Sequence, residues 1–104
     1  MLPDGIQVLG AQWFKNSEIQ SVTIPASVRE IGADAFHNCY CLKHVIFAPG
    51  SELEKVGPNS FCNIEIEKII IPKNVTEIKD NAFDYCKKLE EVVFEEGCKL
   101  KTIE

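Results

Sequence analysis

The chain has 104 residues, of which 45% are hydrophobic, 26% charged and 9% aromatic, a composition typical of one small globular domain. Its net charge of −5 and its pI near 5.0 argue against nucleic acid as a partner, since phosphates demand a basic surface. No apolar run approaches the roughly 18–20 residues needed to cross a bilayer, and the N-terminus lacks the basic start and long apolar stretch of a signal peptide.

Apolar residues recur at a fixed period along the whole chain. Three columns step by 23, 24 and 23 residues: Ile19, Leu42, Ile66, Leu89; Val22, Val45, Ile69, Val92; and Ile24, Phe47, Ile71, Phe94. Two later columns are Val28, Leu53, Val75, Leu100 and Ile31, Val56, Ile78, Ile103, and a further one is Phe14, Phe36, Phe61, Phe83. These columns predict one repeat domain over residues 1–104, with a partial capping repeat 1–18, repeats 19–41, 42–65 and 66–88, and an incomplete repeat 89–104.

Each repeat predicts one coil of a solenoid. Apolar and polar residues alternate at the end of the Leu-x-x-Val-x-Phe pattern, which indicates a short strand with one buried face. Pro25 and Pro72 follow two of these strands and cannot donate to a continuing ladder. The segments at residues 34–39 and 81–86 predict short helical or 3-10 turns that place a phenylalanine in the interior. Stacked coils then predict a right-handed solenoid with a continuous parallel sheet on its concave side and the helical turns opposite.

The strand register predicts which side chains point away from the core on the concave side. We call the outward side chains of these strands the concave face, and two of its columns are our candidate partner-binding residues: Ser21, His44, Lys68, Glu91 and Thr23, Ile46, Ile70, Val93. A third outward column is Pro25, Ala48, Pro72, Glu95. Adjacent aliphatic residues with a charged border are typical of a protein-contact surface. The alternative is that Thr, Ile and Val are simply good strand formers.

Chemistry-bearing motifs are few. Two histidines and two cysteines lie between His37 and His44, but Cys39 is predicted to face the core and His44 the concave face, so we predict no metal site. No nucleophile, phosphate-binding or dinucleotide-binding motif is present, so we predict a non-enzymatic protein without a cofactor. Asn74 begins an Asn-Val-Thr sequence and is a possible glycosylation acceptor.

Five cysteines give an odd count. Cys39 and Cys86 share one repeat position with Ser17 and Ile64, which indicates an interior packing position. They are predicted to lie two coils apart, roughly 9–10 Å, which is too far for a disulfide. No pair follows from the repeat, and this favours a reduced compartment or structural thiols.

The segments SVTIPASVREIGADAFHNC and KIIIPKNVTEIKDNAFDYC resemble the BspA-type leucine-rich repeat, also called the Treponema pallidum type. The resemblance covers the chain from about residue 8 to residue 104. Ile64 stands where the pattern has cysteine, and Lys79 stands where it has glycine. The resemblance implies a leucine-rich repeat solenoid and a surface or secreted protein of the adhesion or host-interaction class.

Two functions remain open at this point. The first is an interaction or adhesion module that binds a protein partner, of unknown identity, through the concave face. The second is a structural or self-assembling segment of a longer solenoid, with contacts through an open C-terminal coil around Leu100 and Ile103. They differ in which surface is sensitive to substitution.

Overall fold

The computed structural model describes residue 2, residues 5–100 and the backbone of residues 102 and 103. This part of the chain forms a parallel β-solenoid of about four turns, as predicted. Its nine strands are β1 Val8–Leu9, β2 Ser21–Ile24, β3 Glu30–Ile31, β4 His44–Phe47, β5 Lys55–Val56, β6 Lys68–Ile71, β7 Glu77–Ile78, β8 Glu91–Phe94 and β9 Thr102–Ile103. After the first coil, which has only β1, each coil contributes one four-residue strand to one wall and one two-residue strand to the other. The division into repeats at the predicted boundaries stays a prediction.

The two-residue strands form a wall that the sequence analysis did not predict. They pair in parallel in the order β1-β3-β5-β7-β9, so this five-stranded sheet is continuous from the first coil to the last. One residue of each strand is buried, as in Leu9, Ile31 and Val56, and its neighbour points outward. The column from Ile31 to Ile103 was recognised as apolar, but two residues are too few to show the alternation of a strand.

The four-residue strands form the wall that was predicted, with one correction. Strand β2 pairs with β4, aligning Ile24 with Phe47, and β6 pairs with β8, aligning Ile71 with Phe94. The predicted continuous sheet is nevertheless wrong, because β4 and β6 are not hydrogen-bonded to each other and the wall consists of two separate two-stranded sheets. We call the unbonded line between β4 and β6 the seam.

The core is filled by the predicted columns. Phe14, Phe36, Phe61 and Phe83 stack face to face, with neighbouring ring centroids 5.2, 5.2 and 5.4 Å apart and planes within 7° of parallel. Stacking of parallel rings at these distances adds to the gain from burying them. The residue before each inner phenylalanine is small and buried, as the stack of coils requires: Ala35, Ser60 and Ala82.

The predicted helical turns beside these phenylalanines are not found. Within the described residues the segments around Phe36 and Phe83 are turns and contain no helix. Their backbone adopts positive φ on both sides of the phenylalanine, as at Asp34 (60°) and Asn38 (60°). A left-handed residue every few positions interrupts the i to i−4 hydrogen bonds of a helix, so the chain instead bonds to the next coil. Phe36 N–H, for example, donates to the Ser60 carbonyl at 2.7 Å.

Two glycines allow coils to approach closely. A Cβ on Gly57 would lie 2.7 Å from the Ile31 carbonyl oxygen, and a Cβ on Gly32 would lie 2.8 Å from the Leu9 carbonyl oxygen. These are the same carbonyls that accept the Gly57 and Gly32 N–H groups, at 2.8 and 2.7 Å. A side chain at either position would push against the backbone that it must bond.

The two ends of the stack expose side chains that are buried in its middle. Trp13 is 55% exposed, and its ring occupies the space that a Cβ on Gly10 would need. At the other end Val92 is 43% and Phe94 44% exposed, whereas Ile71 in the same column as Phe94 is buried. Leu100 is partly buried against the core, and the side chain of Ile103 lies outside the described residues.

Candidate functional site

The eight predicted partner-binding residues lie on the concave face. Cross-strand register sets Ser21 beside His44, Thr23 beside Ile46, Lys68 beside Glu91 and Ile70 beside Val93. All are exposed except Val93, which is half-buried. Ile46 and Ile70 remain 53% and 48% exposed although they are large aliphatic side chains. They flank the seam from opposite sides, one on β4 and one on β6.

The third outward column differs from its prediction. Ala48 is half-buried and Glu95 is exposed, but Pro25 and Pro72 are both buried. Neither proline is therefore an exposed residue of the concave face, although Pro72 contributes to the wall of the cleft described below.

Pro72 explains why no main-chain hydrogen bond crosses the seam at one end. At the equivalent position of the bonded pairs, Ala48 N–H donates to the Ile24 carbonyl and Glu95 N–H donates to the Ile71 carbonyl, both at 3.0 Å. The corresponding donor across the seam would be residue 72, facing the carbonyl of Phe47. Because proline has no N–H, this bond cannot form.

The seam leaves main-chain groups without a partner strand. His44 and Ala48 donate their N–H groups toward β2. Since neighbouring residues of a strand direct their N–H and C=O groups to opposite sides, Val45 and Phe47 direct theirs toward β6. On β6 the carbonyls of Glu67 and Ile71 accept hydrogen bonds from residues on the β8 side. By the same alternation, Lys68 and Ile70 direct their N–H and C=O groups toward β4.

A cleft of about 520 Å³ lies over the seam. Its walls are His44, Val45, Ile46, Phe47, Ala48, Pro49 and Ser51 on one side and Lys68, Ile70, Pro72 and Glu95 on the other. Four of the predicted residues line it, namely His44, Ile46, Lys68 and Ile70, while Ser21, Thr23, Glu91 and Val93 lie outside it. The loop after β4 was not among the predicted site residues, although Pro49 and a two-residue insertion distinguish it in the sequence from the loop after β2.

Charge differs between the two ends of the cleft. His44 and Lys68 stand at the end where β4 and β6 begin, and the Lys68 ammonium lies 3.9 Å from the Glu91 carboxylate, a long and exposed ion pair. Glu95 stands at the other end and accepts a hydrogen bond from Lys73 N–H at 2.8 Å. A smaller hollow of about 280 Å³ adjoins this end and adds Glu96 to its walls.

The cysteines do not form a site within the described residues. All five are free thiols. The Cys39 thiol donates to the Phe14 carbonyl at 2.9 Å, and the Cys86 thiol donates to the Phe61 carbonyl at 3.2 Å. Burial raises the pKa of both thiols. Buried and protonated thiols of this kind are packing groups and poor nucleophiles.

Two further kinds of candidate site, a metal site and the glycosylation site at Asn74, were considered from the sequence. Among residues 5–100 no three His, Cys, Asp or Glu side chains converge as metal ligands would. His44 points outward on β4 while the Cys39 thiol is turned inward, as the register predicted. Asn74 is half-buried, and its side-chain amide donates to the Ser51 carbonyl at 3.3 Å. Glycosylation of Asn74 stays a prediction.

A protein-family model identifies the type of repeat in this chain. A BspA-type leucine-rich repeat region, in six copies, matches residues 4–104. The chain belongs to the BspA-type leucine-rich repeat family. This family is a repeat scaffold and is generally non-enzymatic. The comparison with curated proteins found no significant match.

Several solved structures, most of them named as leucine-rich repeat proteins, superpose on this chain. The pneumococcal vaccine antigen PcpA is 31% identical with a TM-score of 0.86, over 94% of this chain and 26% of PcpA. A leucine-rich repeat protein of Bacteroides capillosus is 32% identical with a TM-score of 0.74, over 86% of this chain and 64% of its own. A leucine-rich cell surface protein of Faecalibacterium prausnitzii is 26% identical with a TM-score of 0.62, over 94% of this chain and 33% of its own. The chain thus spans less than two thirds of each of these proteins.

The BspA-type repeats and the surface proteins among these neighbours suggest an interaction or adhesion role. In the described part of the chain there is no helix with the length and apolar character required to span a bilayer.

Proposed function

We propose that this BspA-type repeat chain is a non-enzymatic interaction or adhesion module that binds a protein partner through its concave face. The family supports the general role, and the surface protein of Faecalibacterium prausnitzii and the antigen PcpA support a place at a cell surface or outside the cell. The rigid stack of coils supplies a preformed surface, and the side chains of the four-residue strands supply its chemistry.

One observation carries this proposal. Ile46 and Ile70 are about half exposed and face each other across a cleft in the strand wall. Strand propensity explains why β-branched residues occur there, but it does not explain a cleft between them. Aliphatic side chains at the centre of a concave surface, with His44, Lys68 and Glu95 around them, have the apolar centre and polar border of a protein interface.

The test replaces both isoleucines with serine. If a partner buries them, each lost side chain costs about 1.5–3 kcal/mol, so the double variant I46S/I70S binds at least about a hundredfold more weakly. The matched control is Val8→Ser, which alters an aliphatic residue that is 49% exposed on the other wall. Binding is measured on cells or on the captured partner by titration with each purified variant. Unchanged binding of I46S/I70S, with unchanged urea unfolding, would refute the proposal.

A second candidate function rests on a different observation. Among the described residues strand β8 pairs only with β6, and Val92 and Phe94 beside its other edge are each more than 40% exposed. We propose as the alternative that this edge packs against another coil or a second copy, which would make the chain a structural or self-assembling segment. Sedimentation velocity from about 1 to 100 µM tests it, because a dissociation constant in this range would shift the distribution. Phe94→Ser should then abolish association, and V8S should not.

Glycosylation of Asn74 is a separate proposal. The residue occupies an acceptor sequence in the turn after β6 and is partly exposed. Because its amide nitrogen already donates to the Ser51 carbonyl, a glycan there would keep one N–H for that bond. Intact-mass measurement of the protein from its native source, before and after enzymatic deglycosylation, tests it. An unmodified mass would remove this proposal without affecting the other two.

A further inference from the structure

We propose that the cleft on the concave face holds an arginine side chain of the protein partner. The aliphatic part of that side chain lies on Ile46, Ile70 and Pro72, and its guanidinium group bonds to the carboxylates of Glu95 and Glu96. This inference rests on the proposed function and names the residue type of the partner that the concave face recognises.

The cleft lies over the strands, and nothing has to enter between them. Strands β4 and β6 are neighbours in the wall, with Cα atoms within 8 Å of each other. The cleft of about 520 Å³ is therefore a depression in the outer surface of the wall, and the exposed side chains of Ile46 and Ile70 line it. A side chain of the partner can occupy it from the concave side without disturbing the main chain of either strand.

The apolar part of the cleft fits a straight aliphatic chain. Ile46 and Ile70 are each about half exposed, and Pro49 and Pro72 line the cleft beside them. Covering this surface stabilises a complex in proportion to the apolar area removed from water. Arginine can cover it with three methylene groups while its charged group stays at the polar end.

The acidic end of the cleft supplies the charge. Glu95 lines both the cleft and the adjoining hollow of about 280 Å³, and Glu96 lines the hollow. Lys73 N–H donates to Glu95 Oε1 at 2.8 Å, which holds the Glu95 carboxylate back toward the coil of β6. In the part of the chain that the structure describes, neither glutamate forms an ion pair with a lysine or arginine. Both carboxylates therefore attract a cationic group of the partner.

The spacing of these groups matches one arginine side chain. The register of β6 and β8 sets Glu95 beside Pro72, two residues further along the strand direction than Ile70. Two residues of a strand rise about 6–7 Å, and an extended arginine side chain covers a comparable distance. Its planar guanidinium has five N–H donors, so it can bond to Glu95 and Glu96 together, whereas a lysine ammonium is a single point charge.

The basic end of the cleft is less suited to a charged group of the partner. The Lys68 ammonium already lies 3.9 Å from the Glu91 carboxylate, so an incoming acidic group would compete with the chain's own. The net charge of −5 also favours a cationic group over an anionic one. Among the described side chains no three converge as metal ligands would. An arginine is therefore preferred to a carboxylate or a metal ion.

The experiment titrates the intact chain with three capped tripeptides that have arginine, lysine or citrulline between two alanines. Citrulline keeps the shape of arginine and removes its charge. The methyl resonances of Ile46 and Ile70 and the side-chain carboxyl carbon of Glu95 are followed by NMR at about 0.15 M salt. We expect the arginine peptide to shift all three. The citrulline peptide should bind about tenfold more weakly, because it loses the charge-assisted hydrogen bonds, and the lysine peptide about threefold to tenfold more weakly.

A pair of double variants provides the matched control. E95Q/E96Q removes both charges but keeps an oxygen that can accept the Lys73 N–H, so the arginine peptide should bind at least about tenfold more weakly and no better than the citrulline peptide. E67Q/E90Q changes the net charge by the same amount at two exposed glutamates on the other side of β6 and β8, outside the cleft. It should leave the preference for arginine unchanged. Urea unfolding of both variants should match wild type, since all four side chains are exposed.

Three results would overturn this inference: equal binding of the arginine and citrulline peptides, equal weakening by E95Q/E96Q and E67Q/E90Q, or no shift of either isoleucine with arginine peptide up to about 10 mM. Its failure is distinguishable from failure of the proposed function. If I46S/I70S loses the protein partner while E95Q/E96Q keeps wild-type affinity for it, the concave face binds the partner without an arginine in the cleft, and only this inference fails. If I46S/I70S binds the partner normally, the proposed function itself fails.

Discussion

Replacing Phe61 with alanine tests whether the stacked phenylalanines hold the coils together. Phe61 is fully buried, and its ring lies between those of Phe36 and Phe83 at centroid distances of 5.2 and 5.4 Å. Removing a buried phenyl ring costs about 3–5 kcal/mol, and loss of two stacking partners places Phe61→Ala toward the upper end of that range. A chain of this size has a total stability of about 5–15 kcal/mol, so the loss is large.

The control for this prediction is Phe83→Ala at the end of the same ladder. Phe83 is half-buried and stacks on a single ring among the described residues. A smaller buried area and one stacking contact lead us to expect a loss of about 1.5–2.5 kcal/mol. If Phe61→Ala fails to fold, Phe61→Leu keeps part of the volume and should cost about 1–2 kcal/mol.

The assay is urea unfolding followed by far-ultraviolet circular dichroism. Trp13 fluorescence is recorded in parallel, because this residue reports on the first coil, where it is 55% exposed. Coincident transitions would show that the stack unfolds as one unit, which a solenoid with strong contacts between coils should do. A loss below about 2 kcal/mol for Phe61→Ala, or one no larger than for Phe83→Ala, would refute a stabilising role for the ladder.

Three further predictions follow from other contacts. Gly57→Ala should lower stability by about 1–3 kcal/mol, because its Cβ would lie 2.7 Å from a carbonyl oxygen of the previous coil, and an unchanged urea midpoint would contradict this. Cys39 is buried with a raised pKa, so iodoacetamide should label it more slowly than the half-buried Cys41 until pH rises well above the ordinary thiol pKa of about 8.5; equal labelling by mass spectrometry would oppose this. Lys88→Met should raise the pKa of the Glu65 carboxyl, which the Lys88 ammonium at 2.8 Å lowers, so the carboxylate resonance in an NMR titration should move at higher pH.

The thiol pKa also sets the direction of a pH effect on stability. Burial raises the pKa of the Cys39 and Cys86 thiols in the folded chain above that in the unfolded chain. Their contribution is therefore fully present below the unfolded thiol pKa of about 8.5 and is lost as pH rises through the folded values. Replacing both residues with alanine should flatten the alkaline part of a stability–pH curve.

Much of the fold follows from apolar spacing. The columns that contain Ile24 and Phe47, and Ile71 and Phe94, are aligned in the structure as predicted. Periodicity succeeds here because each column must face the same core in every coil, which leaves a direct mark on the sequence. The outward position of the two candidate columns follows from the same alternation.

Local structure beside the phenylalanines was harder to predict. Residues 34–39 were expected to form a helical turn, but Asp34 and Asn38 adopt left-handed backbone. Asn and Asp favour this conformation more than other residues with side chains do, and Asn59, Asn63 and Asn81 recur at the equivalent places. That signal was present in the sequence, and a rule that weighs asparagine before helix propensity would have found it.

The sequence by itself determined which residues face the core, how long each coil is, and which side chains lie on the concave face. The alternation of side chains within a strand and their repetition from coil to coil appear in the sequence as regular patterns of apolar and polar residues. Only the tertiary structure decided which strands are hydrogen-bonded, and hence that β4 and β6 are separated by a seam. Main-chain pairing depends on the distance between neighbouring coils. Pro72 removes a hydrogen bond only because the neighbouring coil places the Phe47 carbonyl opposite its nitrogen, which carries no hydrogen.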